Sequence, residues 1–302
     1  MFASMNLREA EKAVVASLQE IYDRSEATNI ASLAIEHVTG LPRREQVIRT
    51  DVTFTAEQES ILNKVIERLQ RHEPIQYIMN KAWFYGLELY VNPDVLIPRP
   101  ETEELVDWVI KDVRMRGLDV FDKKPDEADE TTRLKIMDVC TGSGCIALAL
   151  KQIMPRAEVW GCDISDAALN IARRNGSELD IRVDFQFVNF LDPAQQKHLP
   201  TVDIIVSNPP YVPKKDQSSM RQNVLLHEPH LALFVDDNDP LVFYRALAAF
   251  GEKRLHNNGT IYVEIHENLG NAVQQVFEKE GYEVEIRKDM QGKERMIKAT
   301  KY

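Results

Sequence analysis

From residue 134 onward short apolar runs alternate with helical segments, and this alternation constrains the fold more than any other feature. The runs cover residues 134–139, 158–162, 184–188, 202–207 and 260–265. Strands separated by helices imply a parallel sheet with helices on both faces. Two later β-rich segments, 282–287 and 295–299, predict an antiparallel pair that closes the sheet. The predicted class is therefore α/β, mostly parallel, with an antiparallel edge.

At 302 residues the chain is long for one core and suits one catalytic domain plus a smaller one. Residues 1–73 read as a small helical domain. Leu7, Ala10, Val14, Ala16, Leu18 and Ile21 recur at near-helical spacing. A second helix is predicted to end at Gly40, ahead of Pro42. Thr55 and Gln58 fit a capping box, followed by the stripe Ile61, Leu62, Val65, Ile66 and Leu69. Residues 74–97 are rich in strand formers, Tyr77, Ile78, Trp83, Phe84, Leu87 and Leu89 among them, and read as a β-hairpin linker turning at Tyr85-Gly86. Pro98 and Pro100 interrupt regular structure, and residues 98–302 form the larger domain. The acidic stretch 119–133 reads as a surface loop.

Bulk properties exclude several classes. No run approaches 18 apolar residues, which argues against a membrane span, and no secretory leader is visible. Cys140, Cys145 and Cys162 form neither a CxxC pair nor a zinc spacing, so free thiols in a reducing cytoplasm and no metal site are expected. A net charge of −11 without a basic cluster argues against a stable nucleic-acid partner.

Residues 135–150 read as strand, glycine turn, helix. Gly142 and Gly144 let the backbone turn tightly, and the helix aims free N–H groups at the loop. Asp163 ends the next strand, where a carboxylate can accept from two ribose hydroxyls; a helix cap is the other reading, with Ser165 competing for that role. Asn189-Phe190 follows the third strand, and Phe190 is placed either beside a base or in the core. Asn208-Pro-Pro-Tyr211 follows the strand 202–207. Two prolines make a stiff turn with free carbonyls where open α/β sheets bind ligands. A planar NH₂ group has two donors, which the Asn208 oxygen and the Pro209 carbonyl can accept. Tyr211 can stack on the group and shield it. The chemistry is positioning rather than acid–base work. Glutamine, asparagine, adenine, cytosine and guanine all carry such an amino group.

The D-x-x-x-G-x-G form of the turn resembles the first motif of class I methyltransferases, a Rossmann-like fold. That resemblance implies S-adenosylmethionine as cofactor, S-adenosylhomocysteine as product, and Cys140, Thr141, Gly142, Ser143, Gly144, Asp163, Phe190 and Asn208 as cofactor-binding residues. Asn208, Pro209, Pro210 and Tyr211 would then carry catalysis. Further stretches narrow the substrate: Pro74-Ile-Gln-Tyr-Ile78, Phe84-Tyr-Gly86, Val95-Leu-Ile-Pro-Arg-Pro-Glu-Thr-Glu-Glu-Leu105, Glu228-Pro-His-Leu-Ala-Leu-Phe234 and Lys288-Asp-Met-Gln-Gly-Lys-Glu-Arg-Met296. With Asn208-Pro-Pro-Tyr211 they resemble the HemK/PrmC family of protein-glutamine methyltransferases over residues 74–300. The resemblance implies methylation of the Gly-Gly-Gln glutamine of class 1 peptide-chain release factors, and the Pro-Arg-Pro-Glu-Thr-Glu form looks like the release-factor branch. A nucleic-acid base methyltransferase, which shares the tetrapeptide, is the alternative. Cys140, Asn80 and His266 stand where the family usually has glycine, and Asp236-Asp-Asn-Asp-Pro240 replaces a glycine-rich turn.

Overall fold

The computed structural model describes residues 6–118, 120–122 and 133–301. The chain divides into two compact units, Met1–Lys81 with Met220–His227, and Ala82–Ser219 with Glu228–Tyr302. Most of the acidic stretch 119–133 lies outside the described residues. Of the remainder, Val120 is buried in the core and Phe121 sits beneath the Arg114 guanidinium.

In the first unit α1 (Leu7–Leu18) starts at a reciprocal cap, with Asn6 and Glu9 each accepting the other's backbone N–H. Leu7, Ala10, Val14 and Leu18 face inward, whereas Ala16 is exposed. Helix α2 (Arg24–Thr39) ends at Gly40, which takes φ 71°. Helix α3 (Arg43–Ile48) follows Pro42, and the predicted Thr55–Gln58 box opens α4 (Ala56–Gln70). Leu62, Val65, Ile66 and Leu69 of α4 are buried, while Ile61 is partly exposed.

Residues 75–79, expected as strand, form the short helix α5 (Ile75–Met79). Pro74 presets its start, and Asn80 stops it in the left-handed region at φ 53°. Ile75, Ile78 and Met79 join the helical core of this unit. Burying such a side chain is worth roughly 1.5–3 kcal/mol. The helix propensities of Ile and Tyr lie only a few tenths of a kcal/mol below those of good helix formers. Packing therefore overrides local preference here.

The second unit opens with a hairpin, β1 (Ala82–Phe84) against β2 (Leu87–Leu89). Its turn residues Tyr85 and Gly86 both have positive φ, as a two-residue hairpin turn requires. Phe84, Leu87 and Leu89 pack in the same core as α6 (Pro100–Met115), so the hairpin belongs to this unit. Pro100 does not interrupt structure but occupies the first helical position, where a missing N–H costs nothing. There follow β3 (Lys135–Val139), α7 (Cys145–Ile153), β4 (Glu158–Asp163), α8 (Asp166–Glu178), β5 (Asp184–Phe187) and β6 (Val202–Ser207). Two-residue strands β7 (Val212–Pro213) and β8 (Phe234–Val235) pair in parallel and bracket α9 (Gln222–His227) and α10 (His230–Leu233). The chain ends with α11 (Val242–Arg254), β9 (Leu255–Glu264), α12 (Gly270–Lys279), β10 (Glu283–Lys288) and β11 (Glu294–Thr300). Helix α9 belongs to the first unit. Arg221, just before it, pairs with Glu26, and the His227 ring meets the Arg71 carbonyl.

The seven-stranded sheet has the order β10-β11-β9-β6-β3-β4-β5. Strands β5, β4, β3, β6 and β9 are parallel, and β11 runs antiparallel to both β9 and β10. The predicted antiparallel edge is present. Alternate residues feed two cores: Ile136, Ile204 and Val206 on one face, Met137, Ile205 and Val263 on the other. The chain leaves β3 toward β4 on one side and returns as β6 on the other. A crevice opens beyond the C-terminal strand ends at such a reversal.

Candidate active site

The crevice is walled on one side by the loop after β3. Cys140, Gly142 and Gly144 have φ of 61°, 55° and 80°, so the chain turns by alternating left-handed residues. Gly144 could not carry a side chain easily, because a Cβ there would lie 3.0 Å from the Phe185 ring. Asp163 at the end of β4 braces the loop: its Oδ2 accepts the Gly142 N–H (2.9 Å) and its Oδ1 the Ser165 N–H (2.9 Å). The cap of α8 is Ser165, whose hydroxyl accepts the Ala168 N–H. Burial pushes the Asp163 carboxyl up, and the backbone donors Ser165, Gly142 and Ile164 oppose it.

Behind the loop, Asp138 is fully buried in β3. Its Oδ2 accepts from the Thr141 hydroxyl (2.6 Å) and the Ala147 N–H (3.2 Å), while Oδ1 has no partner. Burial pushes this carboxyl up to about 7, against the pull of those donors. The three thiols follow the same rule: burial and the neighbouring aspartates raise all of them, Cys145 to about 12, so none is a ready nucleophile.

The opposite wall is the turn after β6. The Ser207 hydroxyl donates to the Val139 carbonyl and ties this strand end to β3. Asn208 Nδ2 donates to Thr102 Oγ1 (3.0 Å), and Thr102 Oγ1 donates to Glu264 Oε2 (2.6 Å). The Tyr211 hydroxyl donates to the other oxygen, Glu264 Oε1 (2.9 Å). Glu264, at the end of β9, is 1% exposed. Burial pushes its carboxyl up, opposed by Thr102, Tyr211 and the Arg295 charge. Burial and Glu264 together raise the Tyr211 phenol well above its usual range.

One cavity brings these walls together. Cys140, Thr141, Gly142, Ser143, Asp163, Phe190, Asn208 and Pro210 line it; Gly144, Pro209 and Tyr211 do not. Phe190 is 3% exposed and packs edge-on to Phe250, so most of its ring is core. Tyr211, read as a stacking lid, is instead tethered by its hydroxyl and set edge-on to His266. Besides Glu264, three residues that the sequence pattern does not single out complete the site. Thr102 and Arg99 line the cavity, and Glu228 (3% exposed) pins Arg99 while accepting the Ile97 N–H. Each lies within a stretch that carries the family resemblance, but no spacing rule links them.

The chain resembles known proteins over most of its length. Residues 125–285 match the methyltransferase small domain, and residues 9–79 the PrmC N-terminal domain. A release factor glutamine methyltransferase of Flavobacterium psychrophilum is 39% identical over 95% of this chain and 96% of its own length. One of Bacteroides thetaiotaomicron is 40% identical over 94% and 96%. Among solved structures, the hMettl16 catalytic domain in complex with an RNA hairpin superposes with TM-score 0.52 over 72% of this chain and 77% of its own. At 15% identity that likeness speaks for the fold alone. With two relatives matched almost end to end and both domain patterns present, the chain belongs to the release factor glutamine methyltransferase family.

Proposed function

We propose that this protein transfers a methyl group from S-adenosylmethionine to the side-chain amide nitrogen of the Gly-Gly-Gln glutamine of class 1 release factors. The observation that carries the reading is the shared cavity, in which the glycine turn, Asp163 and Asn208 line a single crevice. The residues suit the cofactor. Ser143 lines the cavity with a buried hydroxyl beside the weakly bonding Cys145 thiol, which leaves it capacity for a polar ligand end. Asp163 offers a carboxylate for ribose hydroxyls, and Ile164, Val188, Phe190 and Leu191 give an apolar wall for a flat base. When bound, the cofactor supplies an electrophilic methyl group on a sulfonium. The Asn208 oxygen, on a residue that lines the cavity where Pro209 does not, would accept an amide N–H and fix the nitrogen. As the N–C bond forms, the C–S bond breaks, S-adenosylhomocysteine leaves and the surplus N–H proton passes to solvent. Holding the amide in line supplies most of the rate.

Incubation with labelled cofactor and an intact release factor tests this. Label on the Gly-Gly-Gln glutamine, located by mass spectrometry, supports it. Label on nucleic acid instead would overturn it.

A glutamine side chain presents too little surface to select one protein. We infer that the helical domain, read as residues 1–73, holds the partner away from the reacting loop. Val47 and Ile48 of α3 are 73% and 78% exposed, which suits a protein contact. V47D/I48D should raise KM for the intact release factor about tenfold, the scale of one interface residue. The rate on a short Gly-Gly-Gln peptide should not change. An unchanged KM would reject this face.

A further inference from the structure

Thr102 sits in the first turn of α6, 2% exposed, between Asn208 and Glu264. Its hydroxyl has one proton, and that proton goes to Glu264 Oε2 at 2.6 Å. The second oxygen of Glu264 takes the Tyr211 proton. Both oxygens of this buried carboxyl are therefore acceptors, and these donors with the Arg295 charge oppose the upward push of burial. With its proton committed, Thr102 Oγ1 can only accept from Asn208. The 3.0 Å contact is then a donation from Nδ2, which settles which end of the Asn208 amide is which. The oxygen Oδ1 is left without a partner among the described residues, on a residue that lines the cavity.

We propose that Thr102 and Glu264 are positioning residues for methyl transfer: Glu264 orients the Thr102 hydroxyl, and Thr102 turns the Asn208 amide so that its oxygen faces the substrate nitrogen. This rests on the amide-methylation reading above. A flipped Asn208 would set its own NH₂ against the substrate NH₂, donor against donor, and the hold on the nitrogen would be lost. The chain of hydrogen bonds running from Asn208 through Thr102 to Glu264 is polarised along its length, which strengthens Asn208 Oδ1 as an acceptor. Tyr211, on the second oxygen of Glu264, keeps that carboxylate fixed from the other side. The parts come from the start of α6, the turn after β6 and the end of β9, so the sheet and helix set their spacing.

Thr102→Val keeps the shape and removes both the donor and the acceptor; Thr102→Ser keeps the hydroxyl. The first should lower kcat for a Gly-Gly-Gln release factor by about ten- to a hundredfold, the scale of one misplaced polar contact. Its KM for the release factor and Kd for S-adenosylmethionine should stay within about twofold, because the Thr102 hydroxyl is already engaged by Glu264 and Asn208. Thr102→Ser should recover most of the lost rate. Wild-type kcat in Thr102→Val, or equal losses in the two variants, overturns the proposal. No transfer by the wild type would sink the substrate reading instead. Crystal structures of wild type and Thr102→Val with S-adenosylhomocysteine then decide the positioning role without turnover. An Asn208 amide that stays in place without the hydroxyl rejects it; one that rotates or disorders supports it.

Discussion

The turn after β3 and the turn after β6 stand next to each other, with Val139 paired to Ser207 at the strand ends. They are held in different ways. The first is shaped by the main chain: three left-handed residues, two backbone N–H groups on Asp163, and one between Thr141 and the Cys162 carbonyl. None of residues 208–211 has a positive φ, and the second turn is held by side chains, with Thr102, Tyr211 and Glu264 arranged behind Asn208. A loop made of backbone keeps its shape when side chains change. A relay of side chains keeps its shape only while every member is present. Cofactor binding should therefore tolerate substitution better than methyl transfer does.

Asn208→Ala should show the contrast most strongly, with methyl transfer falling about a hundredfold or more while cofactor affinity holds. Calorimetry and single-turnover rates on one preparation would measure both. A variant with near-normal turnover would remove the distinction altogether. Asp163→Ala tests the exception, a side chain at the cavity on which the backbone turn leans. Losing a charged acceptor costs about 1.5–3 kcal/mol, so the cofactor Kd should rise about ten- to a hundredfold. An unchanged Kd would mean that Asp163 only braces the loop.

The third test concerns the carboxyl behind the first turn. Asp138 is raised to about 7 in the fold, against an ordinary value of 3.8. Its protonated form is favoured by folding, so the stability it contributes is complete below about pH 4 and is lost as the pH rises toward 7. Linkage at roughly 1.36 kcal/mol per unit predicts that wild type loses about 2 kcal/mol more than Asp138→Asn between pH 5 and pH 7. Parallel denaturation curves for the two proteins would show an Asp138 that is already ionised.

The smallest effect is expected at Cys140, where φ of 61° disfavours any residue with a Cβ. Relief of that strain, about 1–2 kcal/mol, is offset by the backbone entropy of glycine, about 0.5–1 kcal/mol. Cys140→Gly should therefore shift the unfolding free energy by less than about 1 kcal/mol and leave turnover unchanged. A loss of activity with the fold intact would make the thiol functional.

What the sequence made legible follows the same division. Gly142, Gly144, Asp163 and Asn208 could be read because each is written in a short contiguous motif beside a strand end. Thr102 could not, since it meets Asn208 across 106 positions, and Glu264 lies 53 positions from Tyr211. Only the closed sheet brings them together. Three family departures now have physical accounts. Asn80 and Cys140 both sit in the left-handed region where glycine is easiest, and asparagine is the residue that best tolerates it. At Asp236-Asp-Asn-Asp-Pro240 the Asp236 carboxylate accepts the Asn238 N–H, so a side chain closes the turn that glycine would otherwise allow. Residues 75–79 depart from the expected strand because β-branched and aromatic residues signal strand locally, whereas their shared burial makes them helical.

Helix α9 has a consequence for how the protein is made. It completes the first unit, with Arg221 on Glu26 and His227 on the Arg71 carbonyl, yet it follows the whole run Ala82–Ser219 in the chain. During synthesis at about 5–20 residues per second, the first unit waits on the order of ten seconds for its last helix. Through that interval it stands on the ribosome unfinished, with the face that α9 will cover open to chaperones. The two units are thus made interleaved, the first completed only after most of the second has been synthesised.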